Sequence, residues 1–303
     1  MEKPDRGLHH LLGIDSLTDR DIESLIERTL ELSNGAPASS ASVTTANLFF
    51  EPSTRTRVSF ELAALRLGMR VINIELEKSS ATKGESLEDT VATLAAMGVG
   101  CLVIRHPQTG RLQQLAENLH APIRLLNAGD GQGEHPSQAL LDAATLAADG
   151  LDWSQATIAI VGDIRHSRVA GSNLKLFDRL GAGRLRIAGP EEMLPDPPGI
   201  ERVEVCHSIE AAVRDADVIM MLRVQRERMD RAGWPDPDQY HRRWGLNPAH
   251  LELARPGCRV MHPGPINRGM EIDGAVADSD QSLILDQVRM SVFARMAIFE
   301  WLH

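Results

Sequence analysis

The stretch 49–61, FFEPSTRTRVSFE, sets the hydroxyls of Ser53, Thr54 and Thr56 and the guanidinium groups of Arg55 and Arg57 between an apolar run and a helix start. These are the groups that grip a phosphate. Free backbone N–H groups and the positive end of the macrodipole favour an anion at a helix N-terminus, and arginine adds a planar fork of donors. Pro52 ends the apolar strand 46–50, and from there Val58, Leu62, Leu65 and Met69 recur at helical spacing. A capped helix with its arginines in water would explain an isolated Ser or Thr. Hydroxyls and arginines interleaved this densely point to a ligand.

Further clusters carry groups of the same kind. The glycine-rich run 127–134 ends in His135, Pro136, Ser137 and Gln138. The proline makes residue 135 extended and suits a first helical turn. An imidazole N–H and a carboxamide then stand at a helix rim, able to reach a carbonyl oxygen; a helix-capping histidine is the plain alternative. Residues 77–85 hold two of the chain's four lysines, Lys78 and Lys83, beside Ser79 and Ser80. Most such runs are solvated loops, yet scarce lysine here invites a specific use. Ser86 and Asp89 just beyond read as a capping-box-like helix start.

In 161–174, VGDIRHSRVAGSNL, Gly162 is followed by Asp163 and bulky residues, so the dinucleotide spacing is missing and no nicotinamide cofactor is expected. Arg165 and Arg168 near this helix start, and Arg223 with Gln225 after a later strand, suit a bidentate grip on carboxylates. An exposed arginine is the alternative for each. HPGPINRGMEI, 262–272, puts two prolines and two glycines around a strand exit, which fixes a rigid loop presenting backbone carbonyls.

The elements that must position these groups alternate regularly. After a helix over about 18–32, apolar runs at 46–50, 71–75, 101–105, 122–126, 157–161, 184–187, 203–206, 218–222 and 259–261 read as strands, most of them separated by helical patterns. That alternation predicts an α/β chain of two doubly wound parallel-sheet domains. The boundary falls near Gly150, where a helix over 137–148 ends. Ligands of such sheets collect outside the carboxyl ends of the strands, and six of the predicted strands run directly into polar residues. The segment 223–248 lacks steady periodicity and reads as a long functional loop.

Composition narrows the function. The chain has 303 residues, 43% hydrophobic and 24% charged, as in an ordinary soluble globular protein, and its net charge of −10 argues against a nucleic-acid surface. Its longest weakly polar run, 91–104, is too short to span a bilayer, and the first ten residues carry acids and no apolar stretch. A cytoplasmic location is the expectation. Cys101, Cys206 and Cys258 lie far apart in apolar surroundings and suggest neither zinc nor a disulfide framework.

Taken together, FFEPSTRTRVSFE, KGESLEDT (83–90), IRHP (104–107), HPSQAL (135–140), GDIRHSRVAGSN (162–173), LRVQ (222–225) and HPGPINRG (262–269) resemble the aspartate/ornithine carbamoyltransferase family over nearly the whole chain. HPGPINRG resembles the aspartate branch, since the ornithine enzymes share a cysteine-containing HCLP motif there. The resemblance implies a carbamoyl-phosphate-binding domain, 1–150, with a C-terminal helix of about 287–303 packing back on it. It also implies an aspartate-binding domain, 151–286, and an active site between the two.

On this resemblance Ser53, Thr54, Arg55 and Thr56 hold the phosphate of carbamoyl phosphate. Arg105, His135, Gln138 and Thr56, with the backbone of Gly264 and Pro265, hold the carbamoyl end; Arg55, Thr56, Arg105 and His135 form the catalytic set. Arg168, Arg223, Gln225 and Lys83 bind aspartate. Lys83 and Ser79 reach into a neighbouring subunit's site, where the loop departs from the family pattern and leaves Ser79 and Ser80 both open as the phosphate contact.

The implied activity transfers the carbamoyl group to the amine of L-aspartate, giving N-carbamoyl-L-aspartate and phosphate for pyrimidine biosynthesis. The implied assembly is a homotrimer with shared active sites, needing no cofactor or metal, with a regulatory or pathway-enzyme partner chain left open and neither nucleic acid nor membrane involved. Two alternatives stand beside it: a carbamoyltransferase for another amine, and a binding protein that keeps the fold without catalysis.

Overall fold

The computed structural model describes residues 9–74, 84–195, 200–225 and 236–303. The chain divides into two compact units, one running through Ala144 and taking in Arg289–His303, the other Thr145–Val288.

In the first unit, short runs rich in Ala, Leu, Val and Ile form parallel strands that are mostly buried, apart from the exposed edge strand β2. They are β1 (Thr44–Phe49), β2 (Arg70–Ile74), β3 (Cys101–His106) and β4 (Arg124–Asp130), in the order β2-β1-β3-β4 with every pair parallel. Ala46, Leu48, Leu102, Ile104 and Leu125 anchor the core. The helices are α1 (Asp19–Ser33), α2 (Thr54–Arg66), α3 (Leu87–Ala96), α4 (Arg111–Glu117) and α5 (Pro136–Ala148). Thr18 caps α1 and Ser86 caps α3, each accepting the N–H three residues on.

Two expectations change here. The stripe Val58, Leu62 and Leu65 turns outward on α2, while Thr56, Ser59, Phe60, Ala63 and Ala64 face inward. Small residues let the helix lie close on the sheet, so the apolar period marks a surface and not the core. The run 122–126 also starts later and reaches further: β4 extends to Asp130 and takes in half of the glycine-rich segment.

The second unit is built on β5 (Thr157–Val161), β6 (Arg184–Ala188), β7 (Val203–Cys206), β8 (Val218–Met221) and β9 (Arg259–Met261), in the order β7-β6-β5-β8-β9, again all parallel. Its helices are α6 (Arg168–Arg179), α7 (Ile209–Val213), α8 (Pro237–Trp244), α9 (Pro248–Leu251) and α10 (Gly274–Ala277). The segment expected to be a long loop is therefore partly helical. Asp236 caps α8, Pro237 opens it, and Tyr240 and Trp244 drop from it into the core. Residues 226–235 lie outside the described residues.

The last helix, α11 (Ile284–Leu302), carries the C-terminal part of the first unit. Phe299 meets Phe60 edge-on, Arg28 pairs with Glu300 at 2.6 Å, and the Trp301 indole N–H donates to Asp21 at 2.9 Å.

Candidate active site

Strand order decides which polar groups of the first unit meet. With β3 between β1 and β4, the exits of all three stand side by side. Phe49 is in register with Arg105, and the Phe50 N–H donates to the Arg105 carbonyl at 2.8 Å. The chain then turns through Ser53, extended at φ −160° and ψ 90°, into α2. The Ser53 hydroxyl makes no capping bond, so the first N–H groups of α2 are not covered by their own cap. Thr54 and Arg55 are exposed and Thr56 is buried in the first turn. Glu51, just before Pro52, reaches Arg105 with Oε2 at 3.2 Å from Nε and steadies its half-buried guanidinium at this strand exit.

At the exit of β4 the glycine-rich run is held from several sides. The Asn127 side chain donates to the Leu12 carbonyl at 2.6 Å and accepts the Gly129 N–H at 2.7 Å, and Glu134 accepts the Ile14 N–H at 2.7 Å. Gly131, at φ +49°, leaves no room for a Cβ, which would stand 2.9 Å from the Pro107 carbonyl. His135 follows, buried, and α5 starts at Pro136. The Ser137 hydroxyl lies 3.4 Å from Nδ1 of His135, and Nε2 of Gln138 donates to Oδ1 of Asp142 at 3.0 Å. His106, beside Arg105, has its pKa lowered by burial and by the charge of Arg111; its Nδ1 accepts the Gln108 N–H at 3.1 Å.

The second unit repeats the plan at the adjacent exits of β5, β8 and β9. Asp163, wholly buried, accepts Nδ1–H of His166 at 2.8 Å and the backbone N–H of Gln225 at 3.0 Å. One carboxylate thus ties the loop before α6 to the segment after β8. Ser167 caps α6, and Arg168 in its first turn is only 3% exposed. Arg165 is exposed, its backbone N–H on the Met193 carbonyl and its Nη1 donating to the Glu192 carbonyl at 3.3 Å. Burial therefore separates two arginines that the sequence treats alike. At the β8 exit, Nη2 of Arg223 donates to Oε1 of Gln225 at 3.2 Å.

The 262–272 loop is fixed by buried partners. Nδ1 of His262 accepts the Gly264 N–H at 2.8 Å, and Nε2 lies 3.3 Å from Oε1 of Glu271. Glu271 also accepts the Asn267 N–H at 2.5 Å, and Gln287 accepts the His262 N–H at 2.9 Å. Pro265 is exposed and follows a cis peptide bond. Burial, with Glu271 and Asp163 nearby, pushes the Tyr240 phenol well above its ordinary range. Such a phenol stays protonated at neutral pH and packs in the core of the second unit.

Family models for the aspartate/ornithine carbamoyltransferase carbamoyl-P binding domain and the Asp/Orn binding domain match residues 9–148 and 154–302. The chain belongs to the aspartate/ornithine carbamoyltransferase family. It is 48% identical over 299 residues to the aspartate carbamoyltransferase catalytic subunit of Gluconacetobacter diazotrophicus, covering 97% of this chain and 92% of that one. Among solved structures it resembles Trypanosoma cruzi aspartate transcarbamoylase in complex with carbamoyl aspartate and phosphate, at TM-score 0.83 and 30% identity, covering 98% and 97% of the chains. It also resembles the Pyrococcus furiosus ornithine carbamoyltransferase, at TM-score 0.84 and 26% identity with 96% of each chain covered.

For a carbamoyltransferase, the residues legible in the motifs fall into two sets. Ser53, Thr54, Arg55, Thr56, Arg105, His135 and Gln138 cluster at three neighbouring strand exits of the first unit; Arg168, Arg223, Gln225, Gly264 and Pro265 line three exits of the second. Ser79, Ser80 and Lys83 lie outside the described residues. Sequence reasoning passed over the acids that hold these groups: Glu51, Asp142, Asp163 and Glu271. Their partners are set by the fold, and only the burial of an acid beside a strand exit could have signalled them. Among the described residues no group of three or more His, Cys, Asp or Glu side chains could hold a metal ion, and no helix is long and apolar enough to cross a membrane.

Proposed function

We propose that this carbamoyltransferase moves the carbamoyl group of carbamoyl phosphate onto the α-amine of L-aspartate, releasing N-carbamoyl-L-aspartate and phosphate, the chemistry of pyrimidine biosynthesis. The observation that carries the choice of acceptor is the pair of guanidinium-bearing exits in the second unit. Arg168 is buried in the first turn of α6, and Arg223 with Gln225 follows the next strand, joined to the α6 loop through Asp163. Two guanidinium groups suit the two carboxylates of aspartate, whereas the side-chain ammonium of ornithine would meet like charge.

In this reading Ser53, Thr54, Arg55 and Thr56 take the phosphate at the α2 N-terminus, and Arg105, His135 and Gln138 take the carbamoyl end with the backbone of Gly264 and Pro265. The amine attacks the carbamoyl carbon, a tetrahedral intermediate forms, and the C–O bond to phosphate breaks. Arg105, Thr56 and His135 would donate to the developing oxyanion; losing one such donor typically costs about a hundred- to a thousandfold in rate. The Ser137 hydroxyl, 3.4 Å from Nδ1, suits the His135 tautomer that carries its proton on Nε2 for that purpose. Holding two anions in line supplies much of the remaining acceleration.

The reading includes a homotrimer with shared sites, in which Lys83 and Ser79 serve a neighbour. It is supported by the exposed apolar face of α2, where Val58 and Leu62 are 42% and Leu65 56% exposed, together with Ile72 on the open edge of β2. A cytoplasmic location is supported by three buried, unpaired cysteines, as a reducing compartment permits. One assay with carbamoyl phosphate and either aspartate or ornithine tests the whole reading. Product from aspartate alone is expected; product from ornithine alone overturns it.

A further inference from the structure

Helix α5 is buried around its whole circumference over its first three turns, yet it carries Gln138 and Asp142 among its alanines and leucines. Asp142 has no exposed surface and accepts Nε2 of Gln138 at 3.0 Å, one helical turn back. A second buried charge, Arg295, lies on α11. Arg295 is 1% exposed, lies with its guanidinium 4.6 Å from the centre of the Phe60 ring, and donates Nη1 to the Ser291 carbonyl at 2.9 Å. Its Nε meets no acceptor. Burial pulls Arg295 down to about 9 and the charge of Asp142 opposes that shift, so the guanidinium remains charged at neutral pH.

A buried carboxylate and guanidinium are poor stabilisers. Replacing such a pair by apolar groups of similar volume is often neutral or favourable by roughly 1–4 kcal/mol. Neither buried charge is therefore explained by stability alone, and the group that Asp142 accepts from supplies a use. The Asp142 carboxyl oxygen accepts from the NH2 end of the Gln138 carboxamide, which turns the carboxamide oxygen the other way.

We propose that Asp142 is a positioning residue that fixes the Gln138 carboxamide with its oxygen toward the ligand, and so selects an acyl phosphate bearing N–H donors over one bearing a methyl group. The proposal rests on the reading of Gln138 as a carbamoyl contact. Carbamoyl phosphate and acetyl phosphate share shape and phosphate and differ at NH2 against CH3. A carbonyl oxygen aimed at that position gains a hydrogen bond from the first and stays unpaired against the second. A rotated carboxamide would present its own NH2 there and lose the distinction.

The test uses the full chain in its native assembly, with carbamoyl phosphate, acetyl phosphate and inorganic phosphate titrated by calorimetry. Asp142→Asn lets both carboxamides rotate. It is expected to weaken carbamoyl phosphate about tenfold while acetyl phosphate and inorganic phosphate keep their affinities, so the preference for carbamoyl over acetyl falls by the same factor. Arg295→Lys, which keeps the charge, should retain most of the preference. A merely structural pair would lower the melting temperature and weaken all three ligands together.

Should Asp142→Asn fail to fold, the double change Asp142→Leu with Arg295→Met removes both charges at once and carries the same measurement. Folded protein with an unchanged preference overturns the proposal. Gln138→Ala separates the two ways of failing: if it leaves carbamoyl phosphate binding intact, the reading of Gln138 itself is wrong. If it weakens binding while Asp142→Asn does not, only the positioning role is.

Discussion

The carboxylate of Asp163 accepts the backbone N–H of Gln225 at 3.0 Å, across 62 positions of sequence and between neighbouring strand exits. The same carboxylate holds Nδ1 of His166 at 2.8 Å, two residues before Arg168. It therefore sets both arginine-bearing segments of the second unit at once. Asp163→Ala leaves a buried N–H unpaired, which costs about 1–3 kcal/mol. The expected result is a rise in KM for aspartate of tenfold or more with carbamoyl-phosphate affinity nearly unchanged, measured by varying each substrate in turn.

Gly162 is required by the same corner. Its φ is +129°, and a Cβ there would stand 2.7 Å from the Leu222 carbonyl and 3.2 Å from Leu222 Cβ. Gly162→Ala combines backbone strain with overpacking, about 1–3 kcal/mol each. Thermal unfolding should shift down by several degrees, and residual activity should show the same loss of aspartate affinity as Asp163→Ala.

Acid should weaken the first unit before its carboxylates titrate. Nδ1 of His10 accepts the Leu125 N–H at 3.0 Å; burial first, then Arg124 and His9, lower its pKa below 6.5, and His106 is lowered likewise. A histidine whose folded pKa is depressed takes up its proton more readily when unfolded, so stability is complete above about pH 6.5 and falls as pH drops below it. The carboxylates lowered by Thr18, Trp301 and Arg111, Asp21 and Glu88, lose their contribution only below their ordinary range near 4. Melting temperature measured from pH 8 to 4 should decline from about 6.5 downward, and His10→Gln should flatten the first part of that decline.

The outward face of α2 predicts an assembly surface. Leu62→Lys and Leu65→Lys put charge on positions already exposed in one chain, so the fold should survive with unchanged far-ultraviolet circular dichroism. Sedimentation should move from an oligomer to the 33.2 kDa chain. If sites are shared through Lys83, activity should fall with assembly, and mixing Lys83→Ala with Arg55→Ala chains should restore part of it.

Periodicity and local chemistry located the scaffold. Nine apolar runs between helical patterns all appear as strands, and the capping residues Thr18 and Ser86 stand where hydroxyls before helices belong. The candidate site was legible as far as residue type announces chemistry: the arginine-hydroxyl cluster at 53–56, His135 with Gln138, Arg168, and Arg223 with Gln225. The partly helical 236–244 segment was missed because two arginines and two aspartates hide Tyr240 and Trp244, the only two residues on it that are buried.

Sequence alone determined the alternation of strand and helix, because strands of a parallel sheet covered on its faces leave short apolar runs between helical patterns. It also determined which side chains carry donors for anions. Only the tertiary structure decided that Arg168 is buried while Arg165 is not, that the apolar stripe of α2 faces outward, and that Glu51, Asp142, Asp163 and Glu271 hold the donors in place. The reason is range. A helical or strand period is set by neighbours a few residues apart, whereas Glu51 finds Arg105 and Asp163 finds Gln225 across tens of positions brought together by strand order. Asp142 and Glu271, with partners four residues away, are marked only by their burial.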